Sequence, residues 1–476
     1  MEKKVKNLKR VFEPKSVAII GASATPNKIG NVLLRNFIDA RFDGKLFAIN
    51  PKYAEISGVR CYASVSDVRE KIDLAIVATP AETVPGIVEE CANRGVGGVI
   101  ILSGGFEEIG RVDLADRIAK AAEKADMPVV GPNCLGVYNP YTKVDSVFLP
   151  SYKLERPKAG GIAFITQSGA VGSTVMDLAA YYGLGISKFI SYGNGTVLDE
   201  SDYLEYLMGD KETEVIILYI EGARDGRKML EAMKKVNKVK PIVALKAGKG
   251  MGGQAAARSH TGNIAGSYMA YQAAFKQAKV TEAGGIDEIF DFVRVFNQPK
   301  PKGKRVGVIT NGGGLGVLVT DYIEESGLVM AKFSEQTMNE LKKILPPYGT
   351  VANPLDLVAD AGVEEYEKAI DAFMKDPGID ALVVIVLLQT PPIDERVIHV
   401  LSKAVDEKKK PIVTVSVGGS YTEAYMKILE GKGVPSYSSP QAAVKALDKL
   451  ITYSKYLEQL KNQTQTNKAD FNQAPR

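Results

Sequence analysis

Tryptophan is absent from the 476 residues, histidine occurs twice and cysteine three times. Cys61, Cys91 and Cys134 are widely spaced, odd in number and form no CxxC pair, which argues against a disulfide framework and against a zinc site. Two histidines far apart in sequence, His260 and His399, offer no transition-metal cluster. Long hydrophobic runs are missing too. The longest aliphatic run, Ala381 to Leu388, suits a buried strand and falls far short of a bilayer span. The basic stretch Met1-Glu-Lys-Lys-Val-Lys-Asn-Leu-Lys-Arg10 leads into no long apolar core, so it does not read as a secretory signal. A net charge of +4 is small for this length and gives no reason to expect nucleic acid. The expectation is a cytoplasmic protein with neither membrane nor nucleic-acid partners.

What is present is a globular composition, 45% hydrophobic and 24% charged, on a chain long enough for about three domains. Short aliphatic runs alternate with helix-length amphipathic stretches: Ser16-Val-Ala-Ile-Ile-Gly21, Leu46-Phe-Ala-Ile-Asn50, Asp73-Leu-Ala-Ile-Val-Ala78, Gly97-Gly-Val-Ile-Ile-Leu102 and Pro128-Val-Val-Gly131. Strands so apolar are covered on both faces, as in parallel sheets. This predicts a Rossmann-like first unit ending near Tyr138. A loop-like stretch from Asn139 to Lys158 leads to a second unit with strands at Gly161–Thr166, Val215–Ile220 and Pro241–Leu245. The Pro- and Lys-rich segment Asn297–Lys304 reads as an exposed linker. A third α/β unit follows to about Leu460, and the polar tail beyond it is expected to be disordered.

The second and third units read as a duplication. Ile165-Thr-Gln-Ser-Gly-Ala-Val-Gly172 pairs with Ile309-Thr-Asn-Gly-Gly-Gly-Leu-Gly316 at an offset of 144 (309 minus 165). The same offset pairs Asp177 with Asp321, Gly183 with Gly327, and Lys188-Phe189 with Lys332-Phe333. Pro241-Ile-Val recurs as Pro411-Ile-Val, so an insertion lengthens the third unit. Where the second unit has Glu221 after its strand, the third is expected to have Gln389, and the third has no counterpart of His260. Acid and histidine are missing together, which places the chemistry in the second unit.

Motifs in the first and second units bear on the ligand and the chemistry. Gly21-Ala-Ser-Ala-Thr-Pro-Asn-Lys-Ile-Gly30 follows the first strand and opens a helix, the setting in which backbone N–H groups hold a phosphate. It is not GxGxxG, since Ser23 stands at the second glycine and the loop is longer. The second strand ends in Asn50-Pro-Lys52, where a dinucleotide enzyme offers an acid to the ribose. Lys52 instead suits a ribose 3′-phosphate, as in coenzyme A. A glycine turn without a ligand is the plain alternative. Thr79, Ser103 and Asn133 lie at later strand ends of the same sheet, the edge where such sheets bind ligands. Gln167-Ser168-Gly169 forms a strand-to-helix turn with Ser168 as a cap, able to receive a phosphoryl group but equally readable as a structural cap.

His260 lies in Gly248-Lys-Gly-Met-Gly-Gly-Gln-Ala-Ala-Ala-Arg-Ser-His-Thr-Gly-Asn-Ile-Ala-Gly-Ser267, a run of small residues that suits a mobile tether. Its plain reading is an exposed loop histidine. Glu221 on one ring nitrogen would fix the tautomer and leave the other nitrogen as nucleophile. His399 sits in a helix-like stretch and reads as structural. No GxxxxGK[ST] surrounds Gly248-Lys-Gly250, so nucleotide, if used, binds on another chain.

The histidine loop Ala257-Arg-Ser-His-Thr-Gly262, the turn Ile165–Gly169, Gly131-Pro-Asn-Cys-Leu-Gly136, Thr310-Asn-Gly-Gly-Gly314 and Asn353-Pro-Leu-Asp356 together resemble alpha subunits of ADP-forming acetyl-CoA synthetases, in the nucleoside-diphosphate-forming acyl-CoA synthetase superfamily that includes succinyl-CoA synthetase. The resemblance implies a CoA-binding Rossmann-like domain (1–142), then two flavodoxin-like doubly wound domains (158–298, bearing the histidine loop, and 303–460), with 461–476 as the tail. It implies conversion of acyl-CoA, expected to be acetyl-CoA, with ADP and phosphate to acid, ATP and CoA. His260 would be the phosphorylated nucleophile, Glu221 its orienting acid, and Gln167, Ser168 and Gly169 the phosphate turn. Gly21, Ser23, Lys28, Lys52, Thr79, Ser103 and Asn133 would serve CoA. No metal ligand is implied on this chain; ADP or ATP with Mg²⁺ would sit on an ATP-grasp beta subunit in an α2β2 heterotetramer. The alternative is a CoA- or acyl-CoA-binding regulatory scaffold that has lost its chemistry, and retention of both His260 and Glu221 argues against it.

Overall fold

The computed structural model describes residues 2–254 and 267–473, so His260 lies outside the described residues. The chain forms two compact units, Met1–Gly284 and Gly285–Arg476. The first unit contains two sheets. In one, β1 (Ser16–Ile20), β2 (Lys45–Ile49), β3 (Glu55–Ile56), β4 (Val59–Tyr62), β5 (Leu74–Val77), β6 (Val99–Ile101) and β7 (Val129–Val130) run in the order β3-β4-β2-β1-β5-β6-β7. All are parallel except the β3–β4 pair. Side chains alternate across a strand, and β1 buries both sets: Val17 and Ile19 enter one core, Ala18 and Ile20 the other. Helices α1 (Glu2–Phe12) and α2 (Ile29–Asp39) cover the first face, α3 (Val84–Asn93) and α4 (Val112–Lys124) the second. The strand order reverses at β1, and Gly21 sits at its carboxyl end, where such sheets open a ligand crevice.

The chain passes into the second sheet at β8 (Gly136–Asn139) and β9 (Val144–Asp145), two strands inside and before a stretch expected to be loop. They extend β10 (Ala159–Thr166), β11 (Ile186–Ser191), β12 (Val215–Ile220), β13 (Ile242–Lys246) and β14 (Thr281–Glu282) in the order β14-β13-β12-β10-β11-β8-β9. β8 is antiparallel to β11, and β9 to β8. These two escape an apolar-run search because their edge is held by polar groups: Arg156 Nε donates to buried Asp145 at 2.8 Å, and Asn139 Nδ2 donates to Phe12 O at 3.0 Å. Helices α5 (Gly169–Tyr181), α6 (Glu200–Met208) and α7 (Gly226–Val236) follow β10, β11 and β12.

In the second unit, β15 (Arg305–Thr310), β16 (Val329–Met330), β17 (Leu355–Asp356), β18 (Ala381–Ile385), β19 (Ile412–Val415) and β20 (Ser436–Tyr437) run β16-β15-β18-β19-β20, with β17 also on β15. This repeats β11-β10-β12-β13-β14. Where β11 pairs with β10 as one strand, β16 pairs with the start of β15 and β17 with its end. The insertion lies between them. The helix Pro440–Gln473 runs into the segment 461–473, read from sequence as a polar tail. Its start is anchored by buried Ala443, Val444, Leu447 and Leu450, and extending an existing helix costs far less than nucleating one. No proline interrupts it before Pro475.

Gly30 shows how closely α2 seats on the β1 turn. A Cβ there would lie 2.0 Å from Gly21 O, so Gly30→Ala is expected to destabilise the protein by about 1–3 kcal/mol. Urea or thermal unfolding of the purified variant checks this, and unchanged stability would contradict the packing described.

Candidate functional site

β10 and β12 pair in register up to Thr166 opposite Tyr219, then diverge as the chain turns into α5 on one side and the 221–225 loop on the other. The Gln167 amide bridges the gap. Its Oε1 accepts the N–H groups of Glu221 at 2.5 Å and Gly222 at 3.0 Å, and its Nε2 donates to Gly222 O at 2.7 Å. Beside it Thr166 Oγ1 donates to Ser168 O at 2.9 Å, and Ser168 caps α5 by accepting the Val171 N–H at 3.3 Å. Gln167, Ser168 and Glu221 are all buried. The Glu221 carboxylate accepts the Tyr219 hydroxyl at 3.2 Å.

Below Glu221 lies a lysine that sequence reading passed over. Lys246 ends β13 fully buried; its ammonium donates to Glu221 O at 2.8 Å and to Ala247 O, and stands 4.7 Å from the centre of the Tyr271 ring. The Tyr271 hydroxyl accepts the Ala223 N–H at 2.7 Å. The 221–223 turn is thus clamped from Gln167, Lys246 and Tyr271. Burial pulls the Lys246 pKa below the ordinary lysine value, against the opposing pull of the Glu221 charge. The visible sign was a lysine closing a wholly apolar strand before a glycine-rich loop.

A cavity of about 360 Å³ opens beside this turn, lined by Asn133, Cys134, Leu135, Gln167, Gly169 and Asn194 among others. It joins the carboxyl edge of the first sheet to the start of α5. Asn133 Nδ2 donates to Asn194 Oδ1 at 3.2 Å, and Asn194 Nδ2 donates to Glu108 Oε2 at 2.6 Å. Arg224 pairs with Glu107, and its Nε donates to Asn194 O at 3.2 Å. Burial pushes the Glu108 carboxyl up, but the Gly105 N–H and the Asn194 amide bring it below its usual value. Asn194 was also passed over, although Gly193-Asn194-Gly195 at a strand end is a turn signal.

The predicted residues therefore divide. Asn133, Gln167 and Gly169 line the cavity, Ser168 sits between two of its lining residues in sequence, and Glu221 is tied to it by the bond from its N–H to Gln167. Ser103 connects to it, since its Oγ donates to Thr79 O at 2.5 Å and its carbonyl accepts the Asn133 N–H at 2.9 Å. Gly21, at φ +89°, Ser23, Lys28 and Lys52 lie outside the cavity lining, around the ends of β1 and β2. Lys28 and Lys52 are exposed; Ser23 is buried, and its Oγ accepts the Thr25 N–H at 3.1 Å.

The third sheet repeats the turn without its acid. Thr310 Oγ1 donates to Gly312 O at 3.0 Å, and Asn311 Oδ1 accepts the Leu387 N–H at 2.8 Å. By this hydrogen bond the counterpart of Glu221 is Leu387, not the expected Gln389, whose amide reaches Val417 O instead. Counting from the end of the apolar run overshot by two residues; the ladder fixes the register. His399 is exposed on the helix Arg396–Asp406.

Three family models match the chain in succession: a CoA binding domain over residues 15–140, a succinyl-CoA ligase like flavodoxin domain over 159–296, and a Ligase-CoA domain over 306–454. The chain is 39% identical to the alpha subunit of acetate–CoA ligase (ADP-forming) II of Pyrococcus furiosus, across 93% of this chain and 97% of that one. It is 40% identical to the acetate–CoA ligase (ADP-forming) of Methanocaldococcus jannaschii across 96% of its own length, and spans 66% of that longer protein. Among solved structures it is similar to dinucleotide forming acetyl-coenzyme A synthetase 1 of Ca. Korarchaeum cryptofilum in complex with phosphate and ADP. That match has a TM-score of 0.89 and 35% identity, and covers 95% of this chain and 98% of the other.

Behind the cavity loop, Glu200 is buried, accepts the Tyr192 hydroxyl at 3.1 Å, and is pushed up to about 7 by burial and then by the Asp199 charge. A folded value above the unfolded one means the folded state holds a proton the unfolded state has released. Stability is therefore lost as pH rises from about 4.5 through 7. Glu200→Gln is expected to raise the melting temperature above that of the wild type at pH 8 and to narrow the difference at pH 4, as calorimetry across about this range would record. An unchanged or lower melting temperature at the higher pH would refute the buried charge.

Proposed function

The chain belongs to the ADP-forming acetate–CoA ligase family, and on that premise we propose that it is the alpha-type subunit of an acyl-CoA synthetase that works through a phosphohistidine at His260. The observation that carries the reading is the cavity joining Asn133, at the edge of the first sheet, to the capped start of α5, beside a glutamate locked in place by Gln167. Acyl-CoA would lie along the first sheet with its thioester in this cavity. Gly21 and Ser23 would line the crevice, Thr79, Ser103 and Asn133 its far edge, and the exposed Lys28 and Lys52 would meet the CoA phosphates.

An oxygen of inorganic phosphate attacks the thioester carbonyl, the C–S bond breaks, and CoA leaves as the thiolate. A ring nitrogen of His260 then attacks the phosphorus of the acyl phosphate; the P–O bond to the acyl group breaks and the carboxylate departs. Glu221 orients the imidazole and stabilises its charge. The start of α5 at Gln167, Ser168 and Gly169 faces the phosphoryl oxygens, which keep their charge throughout, so positioned N–H groups and a helix dipole are the fitting catalysts. The phosphoryl group finally passes to ADP on an ATP-grasp beta subunit, with which this chain would form an α2β2 assembly. Mg²⁺ belongs with that nucleotide; among the described residues no group of three or more His, Cys, Asp or Glu is arranged to hold a metal. Acetate is the proposed acid. The match to an alpha subunit over 97% of its length supports a separate partner.

Given ³²P-labelled acetyl phosphate and Mg²⁺, the chain is expected to take up an acid-labile, base-stable label that His260→Ala abolishes. Glu221→Gln should slow labelling on the order of 100-fold while acetyl-CoA binding, read by calorimetry, persists. Label retained in the histidine variant would reject the nucleophile; joint loss of labelling and binding would make Glu221 structural. Preference for a larger acid in the reconstituted pair would reject acetate alone.

A further inference from the structure

We propose that Lys246 is a positioning residue for phosphoryl transfer: its buried ammonium fixes the Glu221–Ala223 turn and sets a positive charge against the Glu221 side chain at the root of the His260 segment. The inference rests on the functional reading above, because the step it serves is the arrival of the phosphoryl group at His260.

The placement is specific. Lys246 is the last residue of β13, and the segment bearing His260 departs from Ala247. Its ammonium is fully buried, yet its hydrogen bonds run to two main-chain carbonyls, Glu221 O and Ala247 O, and its third neighbour is the face of Tyr271. Main-chain carbonyls need only a neutral donor. Burying a full charge on them is costly, and a cation over an aromatic face recovers part of that cost. The charge therefore has a use that hydrogen bonding alone does not supply. The groups around it define that use. From β12 come the Glu221 carboxylate and the Tyr219 hydroxyl that donates to it at 3.2 Å; from the helix Tyr268–Ala278 comes Tyr271, which also feels the charge of Glu200. The Glu221 charge is the one that acts on the Lys246 ammonium. With the lysine neutral, the positive charge that acts on Glu221 would be gone, and a doubly negative phosphoryl group arriving beside that carboxylate would be repelled without this compensation.

A comparison with Lys188 sharpens the point. Lys188 is equally buried, but its ammonium meets Asp210 at 2.9 Å and Glu212 at 2.8 Å, a closed set that accounts for its charge.

The test follows His260 labelling from acetyl phosphate against pH in the full chain. Lys246→Met, which keeps the apolar stem, is expected to label about 100-fold more slowly while binding acetyl-CoA as the wild type does. Lys246→Arg, always charged, should restore labelling relative to the methionine variant. The wild-type profile should fall on its basic side below the ordinary lysine value of about 10.4, and that limb should move upward in Lys246→Arg. A structural tie alone would not move it. Wild-type labelling rates in Lys246→Met overturn the inference and leave the functional reading intact. A basic limb unmoved in Lys246→Arg also overturns it, assigning the limb to Tyr219 or Tyr271; this comparison decides the matter should Lys246→Met fail to fold. A wild-type chain that takes no label at all overturns the functional reading and the inference with it.

Discussion

Everything at the candidate site depends on one amide. Parallel strands must part at their carboxyl ends, because each turns away into its own helix, and the main-chain groups just past the last ladder bond lose their partners. Unpaired buried groups of this kind are scarcely tolerated. Gln167 resolves the problem for β10 and β12, accepting from Glu221 and Gly222 and donating back to Gly222. Glutamine is suited to this since one end of its amide accepts twice while the other donates. The result is a fixed offset between the start of α5 and the carboxylate at the end of β12. Asn311 performs the same task in the third sheet, holding Leu387 through main-chain N–H and C=O bonds of 2.8 and 3.4 Å. The lock thus belongs to the scaffold, and the acid it presents is a separate choice.

Buried charge separates the site from its surroundings. Away from the cavity, Lys188 is closed by Asp210 and Glu212, and Asp145 by Arg156. Around the cavity, titratable groups are held largely by neutral ones: buried Glu200 by the Tyr192 hydroxyl, half-buried Glu108 by the Gly105 N–H and the Asn194 amide, buried Lys246 by carbonyls and a ring. A paired buried ion is spent within the fold. An ion solvated by dipoles keeps its field available for a charged group that comes and goes, as the proposed phosphoryl transfer requires.

Strands covered on both faces were readable from sequence because burial on two sides leaves an unbroken apolar run, as in Ser16–Ile20 and Val215–Ile220. The turn at Gln167 and the repeat at an offset of 144 were readable for a related reason: glycines and hydroxyl caps are local requirements that both copies preserve, down to Thr166 and Thr310 bonding two residues ahead. What escaped was set by distant contact. β8 and β9 exist because of polar anchors to Phe12 and Arg156. Asn194 and Lys246 acquire meaning only from Glu108, Glu221 and Tyr271, which lie tens of residues away or on another element. The Leu387 register likewise follows from a bond of its N–H to the Asn311 side-chain oxygen, which no apolar run reveals.

The two copies of the turn differ in the space left before their helices, which bears on the proposed anion site. At Gly169 an added Cβ would find only Leu135, at 3.5 Å, so the space before α5 stands open into the cavity. At the corresponding place in the third sheet, a Cβ on Gly312 would meet the Leu387 side chain at 2.5 Å, and one on Gly313 would meet the Asp356 carboxylate at 2.7 Å. The positive end of that helix is therefore already faced by the chain's own negative charge, with leucine closing the remaining gap. An external phosphate there would have to displace a covalently tethered carboxylate whose local concentration no free ion matches. Leucine at the position of Glu221 and aspartate closing the turn go together: the copy without the acid fills the space before its helix from within, on the same strand order.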